Sequence, residues 1–276
     1  MHAPLIFEAL STAFFVVMAA AAFLTRAPHH RRRRVALLSV GGAAAVVAAS
    51  YMLPADVRLW LGHVYLVAGY RLPALLVPVG PAEAGRHVRG TDPGSRLPDP
   101  EPFEAWLIRT DERWFRFRPA IPAWAAHVLE LSYLFCYLLV PAAFVFIWMA
   151  ASAGAADRFW AAVLLAGFAC YGLLPWLVSR PPRIRYVAPV ASAAGIRRLN
   201  LYILGRASHG FNTFPSGHVA VSVAAALEVF SVSTSAGLAA LIVALAIAAG
   251  AVAGRYHYVI DVVVGGAVGA AAWLLT

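Results

Sequence analysis

The chain has 276 residues, of which 62% are hydrophobic and 13% are charged, and its formal net charge is +9. A soluble domain of this length would carry about 25% charged residues. The composition therefore excludes an ordinary soluble protein and favours one whose solvent is the bilayer. The positive charge is clustered between apolar runs, where membrane topology and lipid phosphates both favour it, so nucleic acid is not expected as a partner.

Long apolar runs follow one another along most of the chain, and a membrane-spanning helix needs about 20 such residues. Seven spanning helices are predicted on this basis, at Leu5–Leu24, Val35–Leu53, Ile121–Ala150, Phe159–Val178, His218–Ser231, Gly237–Gly254 and His257–Leu275. The third run is long, and a tilt or a break near Pro141 is expected. The sequence thus predicts an all-α, polytopic membrane helical bundle.

The stretch from Pro54 to Ala120 is predicted to lie on one side of the membrane as an interfacial segment. Its part Leu59–Gly80 is apolar but is interrupted by charges and prolines, which are costly in a lipid-facing helix, so an interfacial or re-entrant placement is predicted. Pro81–Pro102 is rich in proline and glycine and predicts a loop. Glu101–Arg118 alternates aromatic residues with arginines and predicts an amphipathic surface helix.

The basic run from Arg26 to Arg34 lies between the first two predicted helices. By the positive-inside rule it should be cytoplasmic. Counting crossings from there places Ser179–Phe214 and the turn at Arg255 outside. The polar clusters in these segments are therefore expected on the extracytoplasmic face of the cell membrane.

Arginines dominate the first polar cluster, Ser179–Arg185. Arg180 and Arg183 are candidates for phosphate binding, because guanidinium forks match phosphate oxygens and stay charged. The alternative is that these arginines only anchor a helix end to lipid headgroups.

The second cluster, Phe211–His218, comes directly before an apolar helix. Pro215 and Ser216 predict a helix start. Gly217 would let a ligand approach the backbone closely, and free N–H groups at a helix start favour an anion. The imidazole of His218 is suited to proton transfer. The alternative is an ordinary capped helix with an interfacial histidine.

The third cluster, Gly254–Asp261, pairs a histidine with an aspartate. His257 and Asp261 are four residues apart and share a helix face. An acceptor on one imidazole nitrogen makes the other a better nucleophile. An unpaired carboxylate in an apolar helix is costly, so His257 is the expected partner, and Arg255 lies at the same rim. The alternative is a purely structural ion pair.

All three clusters fall on the same predicted side of the membrane. Phosphoryl transfer needs neutralisation of the phosphate oxygens, an in-line nucleophile and an acid for the leaving oxygen. Together the clusters supply each of these parts, so the sequence favours phosphoryl chemistry at the membrane surface.

These residues make the chain resemble the type 2 phosphatidic acid phosphatase superfamily, whose motifs are K-x6-R-P, P-S-G-H and S-R-x5-H-x3-D. Pro215–His218 carry the second motif, His257 and Asp261 the end of the third, and Arg180–Pro181 the end of the first. The resemblance covers residues 121–276. The chain departs from it at three positions, which are Leu173 for the lysine and Gly250 and Ala251 for the Ser-Arg pair. Relaxed motifs of this kind are also similar to the inositol phosphorylceramide synthase branch.

The resemblance implies a six-helix core over residues 35–276, with residues 54–120 as an external interfacial segment and residues 1–34 as an extra spanning helix with its basic loop. It also implies that His257 attacks phosphorus and forms a phosphohistidine, that Asp261 orients it, and that His218 protonates the leaving group. The remaining implied contacts are phosphate ligands, which are Arg180, Arg183, Arg255, Ser216 and Gly217. No metal and no other cofactor is expected.

The implied activity is hydrolysis of a phosphomonoester or diphosphate lipid within the bilayer. An alternative in the same family is a phosphotransferase that moves a phosphorylated headgroup onto a lipid hydroxyl. An alternative of another class is a transporter or a non-catalytic lipid-binding protein, since transporters also place ionisable residues at broken helices.

Overall fold

The computed structural model describes residues 5–77, 99–114, 121–186 and 194–276. Within these ranges the regular structure is helical, apart from one isolated β-bridge between Ser179 and Asn212. The prediction of an all-α, polytopic bundle is confirmed. Most of the predicted loop Pro81–Pro102 lies outside the described residues, as do the last residues of the predicted surface helix Glu101–Arg118.

The α-helices of the described ranges are, in chain order, α1 (Ile6–Ala21), α2 (His29–Met52), α3 (Ala55–Trp60), α4 (Gly62–Ala74), α5 (Pro102–Trp114), α6 (Ala123–Leu134), α7 (Leu139–Ala150), α8 (Ala153–Gly172), α9 (Ala194–Ala207), α10 (Gly217–Val232), α11 (Thr234–Ala253) and α12 (Val259–Leu275). Short 3₁₀ turns lie at Ala22–Leu24, Phe135–Tyr137 and Pro182–Ile184.

Seven of these helices or helix pairs match the seven predicted spans. Helices α1 (with the turn that follows it), α2, α8 and α11 are long and apolar enough to cross a membrane. Helices α10 and α12 are shorter but also apolar. Helices α6 and α7 form a pair bent by 56°, and the bend explains the length of the third predicted run.

The bend between α6 and α7 lies just before Pro141, as expected from the sequence. Proline has no N–H to donate to the carbonyl of Tyr137, and its ring crowds that carbonyl. The chain therefore passes through the turn Phe135–Tyr137, and α7 restarts with the proline in its first turn.

In the described part of the segment Leu59–Gly80, α3 and α4 pack along α8. Gly62 lies against the ring of Trp160, and Gly69 lies against the ring of Phe168. A Cβ atom at either glycine would overlap those rings. The absence of these two side chains lets the helices pack closely against α8, and the interfacial or re-entrant placement of the segment stays a prediction.

The arginine just before this segment is paired with a carboxylate inside the bundle. Arg58 on α3 is 1% exposed, and its guanidinium donates to both carboxylate oxygens of Glu8 on α1, with its Nε at 2.8 Å. Asp157 on α8 accepts hydrogen bonds from the backbone N–H groups of Ile6 and Phe7, at 3.0 and 3.1 Å. The start of α1, the start of α8 and the start of α3 therefore lie together at one end of the bundle.

The other end of the bundle holds the basic loop and the start of α10. Arg31 donates to the carbonyl of Val77, just after α4, at 2.8 Å. Tyr70, near the end of α4, lies 6.2 Å from His218 between ring centroids. The basic loop and the histidine thus lie at the same end of the bundle, whereas the sequence predicted them on opposite faces of the membrane.

We expect Arg58→Ala to destabilise the bundle by about 3–5 kcal/mol, because it leaves the Glu8 carboxylate buried without its partner. Thermal unfolding of the purified protein in detergent measures the effect. The double variant Glu8→Leu with Arg58→Leu removes both charges and should cost much less. Equal losses in the single and double variants would contradict a role for charge pairing.

Candidate active site

Backbone hydrogen bonds tie the three polar clusters together at the end of the bundle that also carries the basic loop. Arg183 donates its N–H to the carbonyl of Arg255 at 2.8 Å, and Ser216 donates to the carbonyl of Asp261 at 3.0 Å. Asn212 donates to the carbonyl of Ser179 at 2.9 Å. The clusters, which are far apart in the chain, thus form one site at the ends of α8 and α11 and the starts of α10 and α12.

His257 and Asp261 face each other at the start of α12. The distance from Nδ1 of His257 to Oδ2 of Asp261 is 3.5 Å, longer than a normal hydrogen bond. The same oxygen accepts from the side chain of Asn212 at 2.6 Å and from the N–H of Tyr258 at 3.1 Å. The carboxylate is fully buried, so these donors hold it in place and leave Nε2 of His257 turned away from it.

Asn212 is a site residue that the sequence indicated only as part of the loop before α10. Its side-chain amide donates to Asp261 at 2.6 Å and to the hydroxyl of Ser179 at 3.2 Å. It lies six residues before His218, beside the P-S-G-H motif, and its partner Asp261 is 49 positions away. Nothing in the local sequence indicates that contact.

We expect Asn212→Ala to lower turnover about 10- to 100-fold, because Asp261 loses the donor that fixes its orientation. Single-turnover kinetics would place the loss in the step that His257 and Asp261 perform. Ser179→Ala is the control, because it removes the other contact of the Asn212 amide and leaves Asp261 held. A similar loss in both variants would assign Asn212 to the loop structure alone.

The ring of His218 lies across the site from His257. Their ring centroids are 6.2 Å apart and the rings are nearly perpendicular, at 88°. The aromatic rings of Tyr133, Tyr137 and Tyr70 also surround His218, at centroid distances of 6.3, 5.8 and 6.2 Å. The two imidazoles are therefore close enough to act on the same bound group.

The turn before His257 is a C-terminal helix cap built by the end of α11. Tyr256 donates to the carbonyl of Ala251 at 2.9 Å and Arg255 donates to that of Val252 at 3.1 Å, the pattern of a Schellman motif. Arg255 takes the left-handed conformation with φ 58°, a position that usually holds glycine and costs an L residue about 1–2 kcal/mol. Arg255 therefore occupies a strained backbone position.

Carboxylates of α5 engage two of the predicted phosphate-binding arginines. Nε of Arg180 lies 2.9 Å from both carboxylate oxygens of Glu104. Arg255 donates to Asp111 at 2.7 Å. The predicted surface helix thus lies over the site, and its acidic residues hold two arginines.

Arg183 differs from these two arginines, because no described carboxylate pairs with it. Its guanidinium lies 5.9 Å from the ring centroid of Tyr256, and its buried Nε has no hydrogen-bond partner among the described residues. Burial lowers the pKa of the Arg183 guanidinium. Of the three predicted phosphate ligands, Arg183 is therefore the one without a carboxylate partner among the described residues.

Ser216 and Gly217 have structural contacts in addition to their predicted role. The N–H of Ser216 donates a hydrogen bond to the carbonyl of Asp261, and Gly265 packs directly on the Ser216 backbone. The ring of Tyr171 covers Gly217, where a Cβ would lie 2.0 Å from a ring carbon. The absence of a side chain at position 217 therefore makes room for Tyr171, and the predicted phosphate contact of Gly217 stays a prediction.

Glu130 supports the site from α6. Its carboxylate accepts from Tyr256 at 2.6 Å and from Arg197 at 2.7 Å. Tyr256 stacks on Tyr133 with ring centroids 4.1 Å apart. Glu130 therefore fixes the aromatic ring beside which the guanidinium of Arg183 lies.

A family model described as PAP2 superfamily matches residues 103–275, more than half of the chain. The chain belongs to the PAP2 superfamily. No curated protein and no solved structure matches it. Membership supports a phosphatase-type activity on lipid phosphates, and the apolar helices make the chain a multi-pass membrane protein. The resemblance to the inositol phosphorylceramide synthase branch stays a prediction.

The PAP2 match begins in α5, so the helices α1 to α4 lie outside it. The predicted division between residues 34 and 35 is untested by this match and stays a prediction. Packing shows no separate unit there, because Phe15 on α1 lies against Gly42 on α2 and Phe14 stacks on Phe168 of α8.

The departures from the PAP2 motifs have a physical explanation at Gly250. A Cβ at this residue would lie 2.3 Å from the carbonyl oxygen of Leu129, because α6 and α11 cross closely there. The family's serine at this position would not fit without moving a helix. Leu173, in place of the family's lysine, is 41% exposed and brings no charge to the site.

Proposed function

We propose that the chain hydrolyses a phosphomonoester or diphosphate lipid through a phosphohistidine at His257. The observation that carries this proposal is the pairing of two histidines across a gap, with a buried Asp261 behind one of them. A structural ion pair alone would not need His218 facing it at 6.2 Å. Membership in the PAP2 superfamily supports the same chemistry.

In the first step, Nε2 of His257 attacks phosphorus while the bond from phosphorus to the leaving oxygen breaks. His218 gives its proton to that oxygen, so the lipid alcohol or lipid phosphate leaves neutralised. Asp261 stabilises the positive charge that develops on the His257 imidazole. Arg183 neutralises the equatorial oxygens of the transferred group.

In the second step, water attacks the phosphohistidine and gives its proton to His218. The bond from nitrogen to phosphorus breaks, inorganic phosphate leaves, and both histidines return to their starting states. A lipid hydroxyl in place of water would make the same site a phosphotransferase. The relaxed motifs, with Leu173, Gly250 and Ala251, are the observation that favours testing this acceptor.

The test supplies the purified protein in vesicles with phosphatidate and polyprenyl diphosphate, with and without diacylglycerol or ceramide as acceptors. Free phosphate supports the hydrolase, and a new phosphorylated lipid supports the phosphotransferase. Neither product with any substrate would overturn both proposals and favour a transporter or a lipid-binding protein.

The orientation of the site in the cell membrane is a further part of the proposal. The basic loop Arg26–Arg34 and His218 lie at the same end of the bundle. Among the described arginines, Arg58 and Arg158 are the ones near the opposite end, where Asp157 caps α1. By the positive-inside rule the end with the site would face the cytoplasm, which reverses the orientation expected from the sequence.

We expect cysteines at His30 and Arg113 to be labelled from the same side of the membrane, and a cysteine at Ser235 from the other side. The first two positions are exposed at the end with the site, and the third is exposed at the opposite end. An impermeant maleimide applied to intact cells measures this. The native Cys136 and Cys170 are buried, so the background should be low. Labelling of the cysteines at positions 30 and 113 from opposite sides of the membrane would contradict a crossing by α3 and α4.

A further inference from the structure

A cleft of about 400 Å³ lies between α1, α2 and α4, beside the candidate active site. Seven residues line its apolar part, and they are Phe15, Leu38, Gly42, Ala68, Leu72, Ala74 and Leu75. Two polar residues also line the cleft, Arg71 on α4 and His209 from the loop before α10. The volume falls within the range of small-molecule sites, about 300–1,000 Å³.

The polar residues of the cleft connect it to the candidate catalytic histidines. The ring of His209 lies 4.6 Å from that of Tyr70, and Tyr70 lies 6.2 Å from His218, between ring centroids. Tyr70 also donates to Ser208 at 3.3 Å. One aromatic ring therefore separates the cleft from the reacting groups.

His209 has a free hydrogen-bond donor at this junction. Its Nδ1 accepts from the N–H of Phe211 at 3.4 Å, which leaves the proton of a neutral ring on Nε2. That Nε2 is buried without a partner among the described residues. Burial lowers the pKa of His209 to about 3, so the ring is neutral near pH 7. The cleft thus offers apolar walls, a neutral donor and the cation of Arg71.

These properties match a molecule with an apolar chain and a negatively charged head. We propose that the cleft binds an apolar chain of the phosphorylated lipid substrate, with Arg71 and His209 contacting its polar linkage and the phosphate lying between His218 and His257. The inference rests on the proposed function. It assigns lipid binding to helices outside the part of the chain that matches the family.

A photoreactive phosphatidate with a diazirine in its acyl chain tests the cleft without requiring turnover. In phosphatidylcholine vesicles, the full chain should be labelled on peptides of α2 and α4. Gly42→Leu fills the cleft and should reduce this labelling roughly tenfold, the effect of losing contact with about two methylene groups.

Gly41→Leu is the matched control, because a Cβ at Gly41 meets nothing within 4 Å and the same residue is introduced one position away. It should leave the labelling unchanged. Gly42→Leu also presses on Phe15, which lies 3.3 Å from an added Cβ. Ala68→Leu therefore fills the cleft from the other wall and should also reduce the labelling.

Three results would overturn the proposal. The first is equal labelling by a diazirine phosphatidylcholine, which would make the cleft an ordinary contact with bilayer lipid. The second is labelling confined to other helices. The third is an equal effect of Gly41→Leu and Gly42→Leu on the labelling. Phosphate release is the other readout, measured with the short-chain dibutyryl phosphatidate and the long-chain dioleoyl phosphatidate. Gly42→Leu should lower release from the dioleoyl lipid and leave release from the dibutyryl lipid unchanged. Absence of release by the unmodified protein would count against the proposed function, while the labelling would still decide the cleft.

Discussion

Replacing His257 with alanine is expected to lower phosphate release by at least about 10⁴-fold, because the proposed nucleophile is lost. Release of inorganic phosphate from vesicles that contain the active lipid measures the effect. His127→Ala is the matched control, since His127 is an exposed histidine on α6 whose ring contacts the carbonyl of Ala123. That variant should keep the activity of the unmodified protein.

His218→Gln separates the role of the acid from that of the nucleophile. With a lipid substrate the loss is expected to be about 10²–10⁴-fold. With p-nitrophenyl phosphate the leaving group needs no proton, so His257 should still be phosphorylated and the intermediate should accumulate. An acid-labile phosphate that maps to a residue other than His257, or a His257→Ala variant with near-normal activity, would overturn the assignment.

Hydropathy alone was sufficient for most of the fold, because each spanning helix carries its own apolar run. The exception is the pair α3 and α4. Arg58 makes that segment look costly in a bilayer, and the residue that offsets the cost is Glu8, 50 positions away. Gly62 and Gly69 likewise have meaning only beside the rings of α8. Such compensation between distant residues is invisible to any local pattern.

The site shows the same division between local and distant information. The spacing of His257 and Asp261 and the intact P-S-G-H motif are local, and they indicate the reacting groups directly. The state of the arginines depends on Glu104 and Asp111 of α5, more than 70 positions from their partners in the chain. The sequence therefore predicted the same phosphate-binding role for Arg180, Arg183 and Arg255. The tertiary structure distinguishes them, because Glu104 and Asp111 pair with Arg180 and Arg255 and no described carboxylate pairs with Arg183.

This distinction leads to the second large effect, which concerns Arg183. We expect Arg183→Ala to lower kcat/KM about 10²–10³-fold, because the transferred phosphoryl group loses its stabilising cation. Arg183→Lys keeps the charge but not the planar fork, so it should recover part of the loss. Steady-state kinetics with the active lipid measures both variants.

Arg180→Ala provides the contrast, because Arg180 is held by Glu104 at 2.9 Å. Its loss leaves the buried carboxylate with Arg185 at 3.8 Å as its remaining cation, so we expect stability to fall by about 3 kcal/mol while kcat/KM of the folded fraction changes much less than in Arg183→Ala. Pairing with Glu104→Gln should restore much of the stability. If Arg180→Ala impaired catalysis more than Arg183→Ala without unfolding the protein, a bound lipid phosphate would have to displace Glu104 from Arg180, and α5 would then move during turnover.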